Sequence, residues 1–182
     1  MTSNPAVPCA RVIEMHVAAC TELFEAYGLT RHLHPEASAA GGGGHATYAS
    51  VLSAAGEGIR LSSTLSLDRE LLVRTHPSGE AHVAERDLED WCRELNNQLV
   101  GRLKNKLLRA GCEVSAGLPV LIRGTDIVAV TSDDHDFRQY FFSSKYGSLA
   151  FTLAMLLAPD LALDNAAPDA GEVKLEGAMA LF

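Results

Sequence analysis

From Glu85 to Ala110 apolar residues recur at helical spacing. Leu88, Cys92, Leu95, Leu99, Leu103 and Leu107 form one broad stripe suited to burial. An α-helix turns about 100° per residue, so Asp90, Glu94, Asn97 and Gly101 fall within roughly 60° of one another on the other side. This polar stripe is narrow and unusual. A glycine inside a helix costs roughly 1 kcal/mol relative to alanine, which points to something that approaches the backbone closely at Gly101. Gly111 is a suitable terminator.

Helical periodicity also predicts an amphipathic segment from Pro8 to about Gly28, with Val12, Met15, Ala19, Leu23 and Tyr27 on one face. Strict alternation predicts strands over Ala46–Ala54 and Ile59–Leu65, joined through Gly56-Glu57-Gly58. Asp68 is placed to cap a short helix running to about Arg74. After the long helix, Cys112–Ser115, Val120–Ile122, Ile127–Val130, Arg138–Phe142 and Leu149–Leu157 read as strands. Gly117-Leu118-Pro119, Gly124-Thr125 and Lys145-Tyr146-Gly147 punctuate them. The sum is an α+β domain, two long helices packed on one face of an antiparallel-rich sheet. Residues 1–158 are expected to form this single domain. Residues 159–182, rich in Ala, Asp and Gly, are expected to form a weakly ordered tail, to which Val173 and Leu175 are candidates to add a strand.

Composition narrows the classes. With 182 residues and 47% apolar content the chain is large enough to bury a core without metals or disulfides. A formal charge of −8 disfavours nucleic acid and anionic membranes as partners. Cys9, Cys20, Cys92 and Cys112 show no CxxC spacing and read as small core residues of a reducing compartment. Without a secretion signal or an apolar run long enough to span a bilayer, a cytoplasmic location is expected.

Most candidate chemistry is weak. His32-x-His34 lacks a convincing third metal ligand and reads as solvated loop. Gly41–Gly44 does not join a strand to a helix as a phosphate loop must. Asp133-Asp134-His135-Asp136 lacks the pattern of a calcium loop and reads as a solvated turn. No metal site is expected. The helical stripe itself has two readings. In one it is a solvated face, with Glu94 offset by Arg93 and Lys104. In the other it is a docking face whose groups, none of them nucleophilic, act by positioning: a carboxamide that aligns a water and a carboxylate that grips a cation on a partner.

The same residues resemble the CheX/CheC chemotaxis phosphatases. That family's signature is an acidic or serine residue, three residues, Glu, two residues, Asn, and a distant Pro. Asp90, Glu94, Asn97 and Pro119 match it; the last gap is twenty-one residues, one short of the family's usual spacing. Glu94–Gly101 looks like the family's Glu-Leu-Ala-Asn-x-x-x-Gly, and Gly117–Gly124 like its strand around the proline. The resemblance is strongest over residues 48–157.

The resemblance implies a phosphatase acting on the aspartyl phosphate of a CheY-type response regulator. Asn97 would orient the attacking water and Glu94 would pair with the receiver's lysine. Asp90 would lie at the docking edge, Gly101 would admit the partner, and Pro119 supports the motif. Mg²⁺ would belong to the receiver, leaving this chain without a cofactor of its own. CheC-like relatives carry a second motif on an earlier helix. Here Glu25 stands where its asparagine would be, so one site per chain, as in CheX, and a CheX-like homodimer are implied. The alternative is a non-catalytic adaptor of the same fold that binds receiver domains or flagellar switch components.

Overall fold

Two long amphipathic helices cover one face of a seven-stranded antiparallel sheet. The computed structural model describes residues 6–29, 33–34, 48–125, 127, 135–144 and 147–164. The helices are α1 (Ala6–Ala26), α2 (Arg69–Thr75) and α3 (Glu85–Arg109); the strands are β1 (Leu33–His34), β2 (Tyr48–Gly56), β3 (Ile59–Leu67), β4 (Val114–Ala116), β5 (Val120–Arg123), β6 (Asp136–Ser144) and β7 (Gly147–Leu157). The sheet order is β1-β6-β7-β3-β2-β4, and β5 pairs with β2 further along the edge that β4 occupies. Gly117-Leu118-Pro119 separates these two edge strands, as expected where proline removes a backbone donor.

The β2–β3 hairpin closes on Glu57-Gly58, with Gly58 at φ 71°, a conformation open to glycine at no steric cost. Asp68 caps α2 as expected, its Oδ1 accepting from the Leu71 N–H at 3.0 Å. Leu61, Leu65 and Leu67 of β3 and Leu149, Phe151, Leu153 and Met155 of β7 face the helices. They meet Val12, Cys20, Leu23 and Phe24 of α1 and Leu88, Cys92, Leu95, Leu99 and Leu103 of α3 in one core. All four cysteines are buried and free. Burial pushes the Cys92 thiol up to about 12, the behaviour of a packing residue and not a nucleophile.

Several expectations are corrected. Ile127 lies outside any strand, while 128–130 lie outside the described residues. Asp136 opens β6 and does not belong to a turn; Asp133 and Asp134 are outside the described residues. His34 pairs with Phe141 in a short strand and not a loop, because β6 offers it an open edge. His32, Gly41–Gly44, Lys145-Tyr146, Val173 and Leu175 lie outside the described residues. Part of the segment assigned to the tail is held to the domain. Leu161 and Leu163 reach the core, Arg11 Nη1 donates to the Leu163 carbonyl at 2.9 Å, and the Asp164 N–H donates to the Ala110 carbonyl at 2.9 Å.

Among the described residues the core holds one buried histidine. His16 of α1 lies with Nε2 3.4 Å from Ser63 Oγ and Nδ1 3.9 Å from Cys20 Sγ, edge-on to the Phe151 ring. Burial lowers its pKa to about 4. Above its ordinary value of about 6.5 neither folded nor unfolded chain holds the proton, so this group leaves stability flat. Between that value and about 4 only the unfolded chain takes the proton up. Stability therefore falls as pH falls across this window, by about 3 kcal/mol in total. Urea midpoints at several pH values should show that slope, and His16→Gln, neutral throughout, should remove its own share of it.

Candidate functional site

The site is the solvent face of α3. The helix is fixed at its start by charges. Arg123 Nη2 of β5 lies 3.3 Å from Glu85 Oε1, and its Nη1 lies 3.0 Å from Glu89 Oε1. The Tyr48 hydroxyl donates to the same Glu85, and burial first, then that carboxylate, pushes the phenol up to about 12. At the other end Lys106 pairs with Glu22 of α1 at 2.5 Å.

Asn96 fixes the middle. Its side chain is fully buried between α3 and the sheet. Nδ2 donates to the Ser50 carbonyl at 2.7 Å and lies 3.3 Å from both Ser50 Oγ and the Ser63 carbonyl. Ser63 Oγ donates to Oδ1 at 3.4 Å. One carboxamide thus joins α3 to two central strands, and it sets the rotation of the helix about its axis. Sequence reasoning missed it. Position 96 follows Cys92 by four residues and precedes Val100 by four, which places it on the inward face, but its polarity masked the signal.

The next residue points out. Asn97 is exposed, and its carboxamide has no hydrogen-bond partner among the described residues. Asp90 and Glu94 are exposed beside it, and Gly101 completes the stripe. A Cβ added at Gly101 would meet nothing within 4 Å. No packing among the described residues explains this glycine, and its backbone is open to a partner there.

The charges differ from the simplest expectation. Arg93 does not offset Glu94: it pairs with Asp90, Nη1 to Oδ1 at 2.6 Å. Glu94 accepts instead from the uncharged Gln98, Nε2 to Oε1 at 3.0 Å. Glu94 has no ion-pair partner among the described residues. The stripe therefore presents an oriented anion without a cation and a carboxamide without a bond. Pro119 lies half-buried in the break between β4 and β5. No group of three His, Cys, Asp or Glu side chains is arranged to hold a metal among the described residues.

A family model described as chemotaxis phosphatase CheX matches residues 48–142, more than half of the chain and including α3 whole. The chain belongs to the CheX family. Solved structures agree on the fold. A CheX from Vibrio vulnificus superposes with TM-score 0.66 at 17% identity, covering 79% of this chain and 95% of that one. A CheX from Desulfovibrio desulfuricans gives 0.65 at 15%, covering 81% and 99%. The CheX-CheY-BeF3-Mg²⁺ complex from Borrelia burgdorferi gives 0.60 at 13%, covering 79% and 97%. A search of curated proteins finds no match. No described helix of this CheX-family chain is long and apolar enough to cross a membrane.

Proposed function

We propose that this CheX-family protein hydrolyses the aspartyl phosphate of a CheY-type receiver domain. The observation that carries the proposal is the exposed Asn97 carboxamide, unbonded among the described residues, one turn from a Glu94 that no described cation neutralises. The Borrelia burgdorferi relative, captured with CheY, BeF3 and Mg²⁺, supports a receiver as partner.

Docked through α3, Asn97 accepts a hydrogen bond from a water and aims its lone pair at phosphorus. The water oxygen–phosphorus bond forms and the bond to the aspartyl oxygen breaks, releasing phosphate and a free carboxylate. An acyl phosphate is already activated, so alignment alone supplies much of the acceleration. Glu94 grips the receiver's lysine, Asp90 lies at the docking edge, and Gly101 lets the receiver reach the helix backbone. Mg²⁺ is the receiver's. Exposed Leu118, Val120 and Ile122 along the β4–β5 edge support the homodimer that the family likeness implies.

The test is the decay of a phosphorylated receiver with and without this chain. Acceleration that saturates with receiver concentration is expected. Binding without acceleration would leave the adaptor reading. In the same assay Glu94→Ala should weaken docking about 30-fold, the loss of a charge pair of about 2 kcal/mol, and lower turnover as well. Added salt should narrow the difference from wild type in the docking measurement.

A further inference from the structure

Glu94 is not held by its own helix alone. Its carboxylate can only accept, so the Gln98 side chain must turn its NH₂ toward it, and Gln98 Oε1 is left facing the other way. There the Tyr27 hydroxyl, arriving from the end of α1, donates to Oε1 at 3.0 Å. Burial raises the Tyr27 pKa above its ordinary value, so the donor persists at neutral pH. The Tyr27 ring is itself braced, packing edge-on against Trp91 at 5.6 Å between centroids. Trp91 in turn donates through Nε1 to Thr75 Oγ1 at 3.0 Å, and Thr75 belongs to α2. From the core outward the line is Thr75, Trp91, Tyr27, Gln98, Glu94. Each hydrogen bond in it has one polarity.

Gln98 would be an ordinary surface glutamine if its amide were free to rotate. With both ends engaged it is not. Nor does it cancel the charge it holds, as a lysine or arginine at the same place would. A carboxylate kept in one rotamer and still negative is prepared to meet an incoming ammonium without losing side-chain freedom on binding.

We propose that Gln98, braced by Tyr27, is a positioning residue that holds the Glu94 carboxylate in the orientation that receives the partner's cation. The role rests on Glu94 acting as the docking anion in receiver dephosphorylation. Replacing Gln98 leaves the Glu94 charge in place, free to reach its position once the receiver is bound, and removes no contact with phosphate or water, so the expected effect is on KM and not on kcat.

The experiment follows the decay of a CheY-type receiver, phosphorylated by a small-molecule acyl phosphate in the presence of Mg²⁺, over a range of receiver concentrations. Gln98→Leu should raise KM about fivefold, the scale of losing a bond to a charged group and freeing one side chain, with kcat within about twofold. Tyr27→Phe, which keeps the ring on Trp91, should raise KM about threefold. In a Gln98→Leu background Tyr27→Phe should add nothing, and in a Glu94→Ala background neither change should matter. A general loss of helix packing would not give that pattern. Thermal melts check folding, and Gln98→Met replaces Gln98→Leu if the latter is unstable.

If wild type accelerates decay and Asn97→Ala does not, yet Gln98→Leu keeps the wild-type KM, the positioning role is wrong and the phosphatase proposal stands. Independent, additive effects of Gln98→Leu and Tyr27→Phe would overturn it too, as would a fall in kcat equal to the rise in KM. A wild-type chain that binds the receiver and leaves its decay unchanged removes both proposals together.

Discussion

Replacing Asn97 with alanine is expected to cut receiver dephosphorylation by about a hundredfold or more, the scale of losing alignment of a reacting water. The fold should not notice. The carboxamide is exposed and makes no hydrogen bond among the described residues, and alanine is the better helix former. Stability should stay within about 0.5 kcal/mol of wild type. Docking should persist too, with a dissociation constant within about threefold, because Glu94 and Gly101 are untouched. The combination of full binding with lost turnover separates Asn97 from every neighbour. Asn97→Asp is the sharper control. It keeps the shape, but brings a carboxylate toward an anionic phosphoryl group, and should be no more active than alanine. A variant with substantial activity at position 97 in either form would defeat the proposed role.

One residue earlier the expectation reverses. Asn96→Ala should destabilise the protein by about 3 kcal/mol, within the range for stranding buried polar partners and opening a small cavity. The wild-type side chain contacts Ser50 and Ser63 through four hydrogen-bonding distances and is shielded from water. Alanine leaves Ser63 Oγ without that acceptor and the Ser50 carbonyl without that donor. Urea unfolding should move to a lower midpoint at unchanged slope. Asn96→Asp should be worse, since it buries a charge against two carbonyl oxygens. A change below about 1 kcal/mol for Asn96→Ala would mean that the polar contact contributes little beyond its volume.

The contrast also marks what the sequence could reveal. The α3 stripe was legible because helical phase alone puts positions 90, 94, 97 and 101 together, and the signature residues gave them a chemical meaning. The strands read over 46–54, 59–65 and 149–157 were legible because buried and more open positions alternate along much of their length, while Gly147, read as a turn residue, opens β7. Asn96 and His16 were not read as interior, since each is a polar residue filling an apolar phase. Only a partner supplied by the sheet, Ser63 for both, makes either one acceptable inside. Gln98 was unreadable for a different reason. Its brace, Tyr27, lies seventy-one positions away on another helix, and no local pattern carries that contact. Strand β1 was missed because two residues are too few to show any period. Arg93 was assigned to the wrong acid because Asp90 and Glu94 are both within helical reach of it, and rotamer choice decided between them.

The juxtaposition of a wedged amide and a free one in adjacent positions makes the chain sensitive to counting as well as to chemistry. A single residue inserted between Asn96 and Asn97 would preserve every side chain in the motif, yet swing the outer amide about 100° around the helix while the inner one stays seated. Such a protein should be blind to its partner, and it should also lose stability, because Leu99, Leu103 and Leu107 of the shared core turn with the outer amide.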